Sequence, residues 1–338
     1  MQNQNSKFKT QKDSHEHGSI VVPEITSRQR LDIFLSEHGW GARSQIQRMI
    51  DEGRVVVNGD VFFKASYRVK TGDQIEIRGA HESSSVISVA EVTESTEIFR
   101  RIRVIHEDAE YLVVEKPAGL LVHPTEAHES VTLSSWLVLQ YPEIITVGES
   151  DMRPGIVHRL DKEASGLLVI ARTQQMFEHL KQQFKERTVE KVYTVLVYGS
   201  VPTEHGVIDF IIDRGREGRM VARPNTEMTL RNITEDRSGK EALTEFDVLT
   251  RLVRYTLLSV KIHTGRMHQI RVHMYAYNHP VVGDTLYAQK GYLKKNDKVL
   301  GRLFLHASKL CFETLQGERV SYECALPHEL QEFLDTLT

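Results

Sequence analysis

Residues 158–173 read HRLDKEASGLLVIART, a stretch in which five ionisable side chains stand directly before an almost purely apolar segment. A short apolar run bounded by a glycine is typical of a strand buried in a sheet. The charged residues are therefore expected at the rim of that sheet. The Asp161 carboxylate has four uses open to it there, as a cap, a salt-bridge partner, a metal ligand or a nucleophile. The stretch alone does not decide among them.

The rest of the second half of the chain contains more strand patterns than helix patterns. Helical spacing is clear over residues 174–187, where Met176, Phe177, Leu180 and Phe184 recur on one face. The helices do not alternate with strands as a doubly wound parallel fold requires. We therefore predict an α+β fold with a mixed, largely antiparallel central sheet and flanking helices. The β-rich segments are residues 101–107, 111–117, 166–173, 190–199, 242–250, 255–262 and 303–312.

The chain divides into four segments by composition and periodicity. Residues 1–25 are polar and aperiodic, which predicts a disordered tail. Residues 26–79 contain two helical patterns and an Asn-Gly hairpin signal, which together predict a small α/β module. Residues 80–98 are polar and serine-rich and are predicted to be a linker, so residues 99–338 form the larger domain.

Length and composition restrict the classes of protein that remain. A chain of 338 residues with 40% hydrophobic and 26% charged residues is typical of a globular protein of two domains. Two cysteines, Cys311 and Cys324, make neither a disulfide framework nor a C-x-x-C metal pair. The sequence contains no signal-peptide pattern and no apolar run that approaches a membrane span. We therefore expect a cytoplasmic protein without a membrane partner.

A second polar cluster, VKIHTGRMHQIRVHMYAYNHP at 260–280, offers a cationic partner for Asp161. An arginine can hold a carboxylate through two parallel hydrogen bonds, and both Arg266 and Arg271 lie in this cluster. Its histidines are five residues apart, whereas a helical pair of zinc ligands requires four. The sequence therefore predicts an arginine–carboxylate pair and no metal site.

The N-terminal module resembles the RNA-binding domain first described in the small-subunit ribosomal protein called S-four. The resemblance is carried by RLDIFL at 30–35, ARSQIQRMIDEGRVVVNG at 42–59 and TGDQIEI at 71–77. In that family a basic helical face lies on RNA phosphates. The resemblance implies that the phosphate contacts are Arg30, Arg43, Arg48 and Lys64.

The larger domain resembles the RluA family of pseudouridine synthases. HRLDKEASGLLV is similar to the signature segment of that family, and five further blocks follow its order along the chain. Ala164 departs from the pattern, since the family usually has Thr at this position, and Ala288 stands where Gly is common. The further blocks are EKPAGLLVHP (115–124), EKVYTVLVYG (190–199), HTGRMHQIRVH (263–273), VVGDTLY (281–287) and LHASKLCF (305–312).

The resemblance assigns roles to individual residues of this sequence. It implies that Asp161 is the catalytic aspartate, that Arg271 pairs with it, and that Tyr193 lies against the target uracil. Arg159 would fill the gap left when the target nucleotide leaves its stack. No cofactor is expected, because the isomerisation of uridine needs none. The remaining RNA contacts implied by these motifs are His158, Arg266 and Gln269.

The expected function is isomerisation of uridine in structured RNA by a monomeric enzyme, most often in large-subunit ribosomal RNA. Transfer RNA is the alternative substrate. A non-catalytic RNA-binding or ribosome-assembly factor is the alternative class, although a decayed enzyme would be expected to lose Asp161, Tyr193 or Arg271. A glycoside hydrolase would need a second carboxylate, for which Glu163 is the only near candidate and has no forced geometry.

Overall fold

The computed structural model divides the chain into two units, Met1–Val89 and Ala90–Thr338, which are described separately. Within the described residues no helix is long and apolar enough to cross a membrane. The residues that the structure describes are 18–23, 29–41, 43–51, 53–62, 67–77, 97–125, 129–150, 152–215, 219–225, 239–288 and 299–337.

The first unit is a four-stranded antiparallel sheet in the order β1-β4-β2-β3, with two helices. The helices pack through Leu31, Phe34, Leu35, Ile46 and Ile50, which are buried with the inner side chains of the sheet. Its elements are β1 (Gly18–Val21), α1 (Leu31–Glu37), α2 (Arg43–Asp51), β2 (Val55–Val57), β3 (Asp60–Val61) and β4 (Gln74–Ile77).

Strand β1 corrects the prediction of a disordered tail over residues 1–25. Residues 18–21 pair with β4 in antiparallel register, and Val22 directly after them is buried. Ile20 is half-buried while Val21 faces solvent, which is the alternation of a half-buried strand. Four residues are too few for that alternation to stand out from a polar sequence. Residues 1–17 lie outside the described residues.

The second unit is built on a ten-stranded sheet and confirms the predicted α+β class. The strand order is β10-β9-β11-β12-β8-β13-β7-β6-β5, with β14 paired to β13. Of the strand pairs in the described residues, β13 with β7 is parallel and the others are antiparallel. The strands are β5 (Arg103–Glu107), β6 (Tyr111–Lys116), β7 (Ser165–Ala171), β8 (Glu190–Tyr198), β9 (His205–Arg214), β10 (Met220–Pro224), β11 (Lys240–Arg251), β12 (Tyr255–Ile262), β13 (Leu305–Glu313) and β14 (Arg319–Glu323).

Helices cover both faces of this sheet. The helix predicted over residues 174–187 is confirmed as α4, which begins where the Thr173 hydroxyl accepts the amide of Met176. Arg187 ends it in the left-handed conformation. The helices are α3 (Leu133–Gln140), α4 (Gln174–Glu186), α5 (Gln269–Ala276) and α6 (His328–Asp335), with a 3₁₀ helix at Pro142–Thr146.

Strand β7 is the apolar segment of HRLDKEASGLLVIART, and all seven of its residues are buried. Leu168 and Ile170 point into the core on one face of the sheet, and Leu167 and Val169 into the core on the other. A strand covered on both faces needs an unbroken apolar sequence, which explains why this segment does not alternate with polar residues. The charged residues stand before it because the chain leaves the core there.

Gly166 allows β7 and β13 to approach each other at the start of their parallel pairing. Its φ is +118°, and a Cβ atom there would lie 2.3 Å from the carbonyl oxygen of Ala307. Both strands are held by further partners, β6 on one side and β8 on the other, so neither can move away. The close approach fixes the backbone five residues after Asp161.

We expect Gly166→Ala to destabilise the second unit by at least about 2 kcal/mol, because it adds a backbone clash to an unfavourable φ. Gly317→Ala is the matched control: φ is +81° there, but nothing lies within 4 Å of the added Cβ. That variant should lose only about 1 kcal/mol. Urea unfolding followed by circular dichroism gives both values, and equal losses would mean that the close approach has no energetic effect.

Candidate active site

Asp161, Arg271 and Tyr193 lie around one cavity of about 130 Å³. Three elements bring them together: the turn before β7 carries Asp161, α5 carries Arg271 and the central strand β8 carries Tyr193. Ile262 and Leu305, from the strands on either side of β8, give the cavity apolar walls. A flat apolar ring that can also meet polar groups at one edge fits such a site.

Arg271 is hydrogen-bonded to two carboxylates at once. Its Nε and Nη2 donate to the two oxygens of Asp284, at 2.7 and 2.9 Å. Its Nη1 donates to Asp161 Oδ2 at 3.1 Å. The sequence motifs predicted a two-pronged pair between Arg271 and Asp161. That detail is wrong, because the fork is occupied by Asp284 and Asp161 receives a single hydrogen bond.

Asp284 is the residue of this network that sequence reasoning missed. Its side chain is 1% exposed, compared with 18% for Asp161. Its Oδ1 also accepts the backbone amides of Leu286 and Tyr287, both at 2.9 Å. Asp284 lies in the VVGDTLY motif, which is the sequence feature that could have identified it as a site residue. Nothing in that motif shows that its carboxylate pairs with an arginine.

Burial would lower the pKa of the Arg271 guanidinium, but the hydrogen bonds and charge of Asp284, followed by those of Asp161, raise it above its ordinary value. The cation also lies over the ring of Tyr287, with 5.1 Å between its central carbon and the ring centre. Arg271 is therefore a fixed positive charge. The two carboxylates and one guanidinium carry a formal net charge of −1, and of the two carboxylates Asp161 is the one that lines the cavity.

Tyr193 presents a buried phenol to the same cavity. Burial, and then the charge of Asp161, raise the pKa of Tyr193 well above its usual value. The phenol therefore stays protonated at neutral pH and is a poor base. This disfavours the use of its phenolate to remove a proton, whereas the face of its ring remains suited to contact with a planar base.

Lys116 holds the turn that carries Asp161. The side chain is fully buried, and its ammonium donates hydrogen bonds only to backbone carbonyl groups of two loops. Burial, and then the charge of Arg302, lower the pKa of Lys116 to about 7, which the charges of Glu163 and Asp161 oppose. The contacts join the loop after β6 to the turn at 161–164, so the position of Asp161 depends on both loops. The acceptors are Pro117 (2.8 Å), Leu120 (2.8 Å), Lys162 (3.1 Å) and Ala164 (2.7 Å).

Two of the predicted RNA contacts lie at the mouth of the cavity. Arg159 is exposed, and its guanidinium has no acceptor among the described residues. Arg266 is partly buried, and its Nε donates to the carbonyl of Glu241 at 3.1 Å. All the guanidinium nitrogens of Arg159, and those of Arg266 other than Nε, remain available to a ligand. Their contact with RNA stays a prediction.

His158 and Gln269 were predicted as RNA contacts, but the structure gives them internal partners. His158 Nε2 accepts the amide of Val169 at 3.1 Å, and its ring stacks on Phe184. Burial lowers the pKa of His158 to about 3, so it is neutral. Gln269 accepts two hydrogen bonds and donates two, which uses all four of its positions. Gln269 therefore has no hydrogen-bonding position left for RNA, whereas His158 keeps its Nδ1 and its contact with RNA stays a prediction.

The predicted phosphate contacts of the first unit are described only in part. Arg30 donates two hydrogen bonds to the Asp32 carboxylate, at 2.9 and 3.2 Å, which offsets its charge. Arg43 and Arg48 lie on α2, but their side chains are outside the described part of the structure. Lys64 lies outside the described residues altogether.

Glu115, His306 and Cys324 form a group whose ligand-type atoms lie within 4.8 Å of one another. These atoms already have partners within the described part of the chain. His306 lies 3.1 Å from the Cys324 sulfur through Nε2 and 2.9 Å from the Ser165 hydroxyl through Nδ1. Arg103 lies 3.1 Å from Glu115 and balances its charge. The imidazole and the thiol therefore have partners without an ion, whereas the buried Glu115 Oε2 accepts no hydrogen bond from the described residues. The expected lack of a metal stays a prediction.

Comparisons with known proteins give a consistent result. A family model described as RNA pseudouridylate synthase matches residues 110–276, and a model of the S4 domain matches residues 29–75. An uncharacterized RNA pseudouridine synthase of Bacillus subtilis, YlyB, is 35% identical over 321 residues, which span 94% of this chain and 97% of that protein. The ribosomal large subunit pseudouridine synthase D of Borreliella burgdorferi is 37% identical over 285 residues, which span 83% of this chain and 81% of that protein.

Among solved structures, human RNA pseudouridylate synthase domain containing 1 is similar to this chain with a TM-score of 0.55 and 27% sequence identity. The similarity covers 70% of this chain and 88% of the human chain. A match of this extent must lie largely in the second unit, because the first unit, Met1–Val89, is only about a quarter of the chain.

The two carboxylates around Arg271 should respond differently to neutralisation. We expect Asp284→Asn to lower the free energy of unfolding by about 3 kcal/mol, because it breaks a fully buried ion pair. Asp161→Asn should change it by less than about 1 kcal/mol, because this partly exposed carboxylate loses one hydrogen bond and can reorient to water. Urea unfolding of both variants measures the difference. Equal destabilisation would show that Asp161 is as structural as Asp284.

Proposed function

The chain belongs to the RNA pseudouridine synthase family, whose members are isomerases, and we propose that its substrate is large-subunit ribosomal RNA. The observation that carries the catalytic part of the proposal is the meeting of Asp161, Arg271 and Tyr193 around one cavity with apolar walls. The ribosomal substrate rests on similarity to proteins named ribosomal large subunit pseudouridine synthase D, at 37% identity for the protein of Borreliella burgdorferi.

The proposed reaction exchanges one bond to the ribose for another. The bond from ribose C1′ to uracil N1 breaks, the base rotates, and a bond from C1′ to C5 forms. The proton on C5 then leaves and N1 takes up a proton, so atoms and charge balance. Asp161 begins the reaction either as a nucleophile at C1′ or as a base on the ribose. Both routes require the carboxylate to be ionised and aimed at the sugar.

The surrounding residues supply position and charge. Arg271 fixes one oxygen of Asp161 and leaves the other available to the ribose. Tyr193 places an aromatic face against the extruded uracil, and the apolar walls exclude water while the base rotates. The exposed Arg159 enters the space that the flipped nucleotide leaves in the RNA stack.

The first unit holds the structured RNA by its phosphates in this proposal. The S4 domain match at residues 29–75 supports this role. Phosphate contacts provide affinity without reading the bases, so they position the RNA while the cavity of the second unit selects the uridine. Arg43, Arg48 and Lys64 remain the proposed contacts, whereas Arg30 contributes less because it is paired with Asp32.

The catalytic role of Asp161 is tested with RNA that carries tritium at C5 of uridine. Asp161→Asn should bind this RNA as wild type does and release no tritium above background, because an amide is neither a nucleophile nor a base here. Arg159→Lys is the control that leaves the carboxylate intact and should retain measurable release. Tritium release by Asp161→Asn at the wild-type rate would remove Asp161 from the mechanism.

The ribosomal substrate is tested by mapping pseudouridines in cells that lack the gene. We expect one or more pseudouridines to disappear from large-subunit ribosomal RNA and to return when the wild-type gene, but not the Asp161→Asn gene, is supplied. Sites in transfer RNA should be unchanged. Loss of a transfer RNA site with intact ribosomal sites would contradict the proposed substrate and favour the alternative.

A further inference from the structure

A second, larger cavity of about 470 Å³ adjoins the cavity of Asp161. The two cavities share five wall residues, among them Tyr193, so a ligand in one can extend into the other. Six lysines and arginines line the larger cavity and no Asp or Glu is among its described wall residues. They are Arg153, Arg159, Lys185, Arg187, Lys191 and Arg266.

Lys191 is the cation with the most restricted surroundings. It lies on β8 two residues before Tyr193, so both side chains project from the same face of the strand. Its ammonium lies 5.3 Å from the ring centre of Phe184, and no described residue accepts a hydrogen bond from it. By contrast, Lys261 on the neighbouring strand has Glu190 at 3.0 Å. The hydrogen-bond donors of this ammonium are therefore free for an anionic ligand.

The neighbouring polar groups do not supply an acceptor for Lys191. His158, which stacks on Phe184, already uses its Nε2 to accept the amide of Val169. His123 also lines the cavity, and burial lowers its pKa to about 4, so it adds no charge and no anion. A ligand that enters this cavity therefore meets several cations and no compensating carboxylate.

We propose that the larger cavity binds the RNA phosphodiester next to the target uridine, with Lys191 donating to its non-bridging oxygens. This inference rests on the proposed function, since it assigns the target uridine to the adjacent cavity with Asp161. A phosphodiester is the anion that RNA brings within one nucleotide of the reacting base. Anchoring it would hold the ribose still while the base leaves C1′, rotates and returns.

The phosphate contact predicts a pH dependence of RNA binding. Burial lowers the pKa of Lys191 to about 8, so the free cavity loses this charge as the pH rises through 8. A bound phosphate favours the ammonium and raises that pKa, so affinity is full below 8 and falls above it. The facing arginines stay charged throughout, the pKa of Tyr193 is raised out of this range, and His123 and His158 are neutral. The other facing charged or titratable groups are Lys185, which is exposed, and His263, which contacts Glu245.

The experiment is a double-mutant cycle between Lys191→Met and the charge of individual phosphates. A short RNA substrate is made with one neutral methylphosphonate linkage at a time, on either side of the target uridine. For one linkage, neutralisation should lower kcat/KM of wild type about 10- to 100-fold, as expected for a hydrogen bond to a charged group. Lys191→Met should cause a similar loss on unmodified RNA but less than about a threefold further loss on that modified RNA.

Matched controls separate this contact from a general loss of positive charge. Lys309→Met removes a lysine that is paired with Glu323, outside both cavities, and should change no value by more than about twofold. Lys191→Arg keeps the charge, so it should retain binding and lose the pH dependence. Wild-type affinity should fall about fivefold as the pH rises from about 7 to about 9, and the affinity of Lys191→Arg should not.

The same cycle is measured in dissociation constants, so its outcome does not depend on turnover. A wild-type enzyme that binds the RNA but forms no pseudouridine would contradict the proposed function and leave the coupling to be read from binding. If Lys191→Met raised the dissociation constant by the same factor for the unmodified RNA and for every methylphosphonate RNA, the proposed phosphate contact would be wrong. If no linkage couples but inorganic phosphate raises the Tm of wild type and not of Lys191→Met, the cavity binds a free phosphate and the proposal is wrong.

Discussion

The arrangement of the site depends on one guanidinium shared between two carboxylates. Asp284 takes two hydrogen bonds from Arg271 and is fully buried, while Asp161 takes one and faces the cavity. A carboxylate that received both prongs would be held more firmly but would have fewer lone pairs to offer a substrate. The division therefore anchors Arg271 through Asp284 and leaves Asp161 as a positioned, partly exposed anion.

The backbone around Asp161 is held as firmly as its side chain. Lys116 joins the turn at 161–164 to the loop after β6, and Gly166 lets β7 lie against β13 directly after that turn. The first contact needs a long buried side chain that ends in hydrogen-bond donors, and the second needs the absence of a side chain. Neither residue contacts the cavity, yet a shift of either loop would move Asp161 relative to Arg271, which lies on a different element.

The sequence was sufficient for the fold class because strands covered on both faces and amphipathic helices leave local patterns. The meeting of Asp161, Tyr193 and Arg271 followed from family motifs rather than from periodicity. Hydrogen-bond partners were not predictable in this way. Gln269 and His158 have the side chains of RNA contacts but use them internally, and Asp284 is bound to a residue 13 positions earlier by the fold. A sequence specifies the donor or acceptor, whereas only the tertiary structure specifies its partner.

The two adjoining cavities differ in the charged groups that line them, which limits how a nucleotide can enter them. The smaller cavity contains the Asp161 carboxylate, which repels a phosphate but not a neutral uracil, whereas the described wall of the larger cavity contains no carboxylate. The larger cavity offers six cations to the phosphate, of which Arg159 and Arg266 also line the smaller cavity. A nucleotide that spans both is therefore oriented by charge before any base-specific contact forms. The ribose, which joins the phosphate to the base, then lies between the cavities and beside Asp161, where either proposed route of the reaction begins.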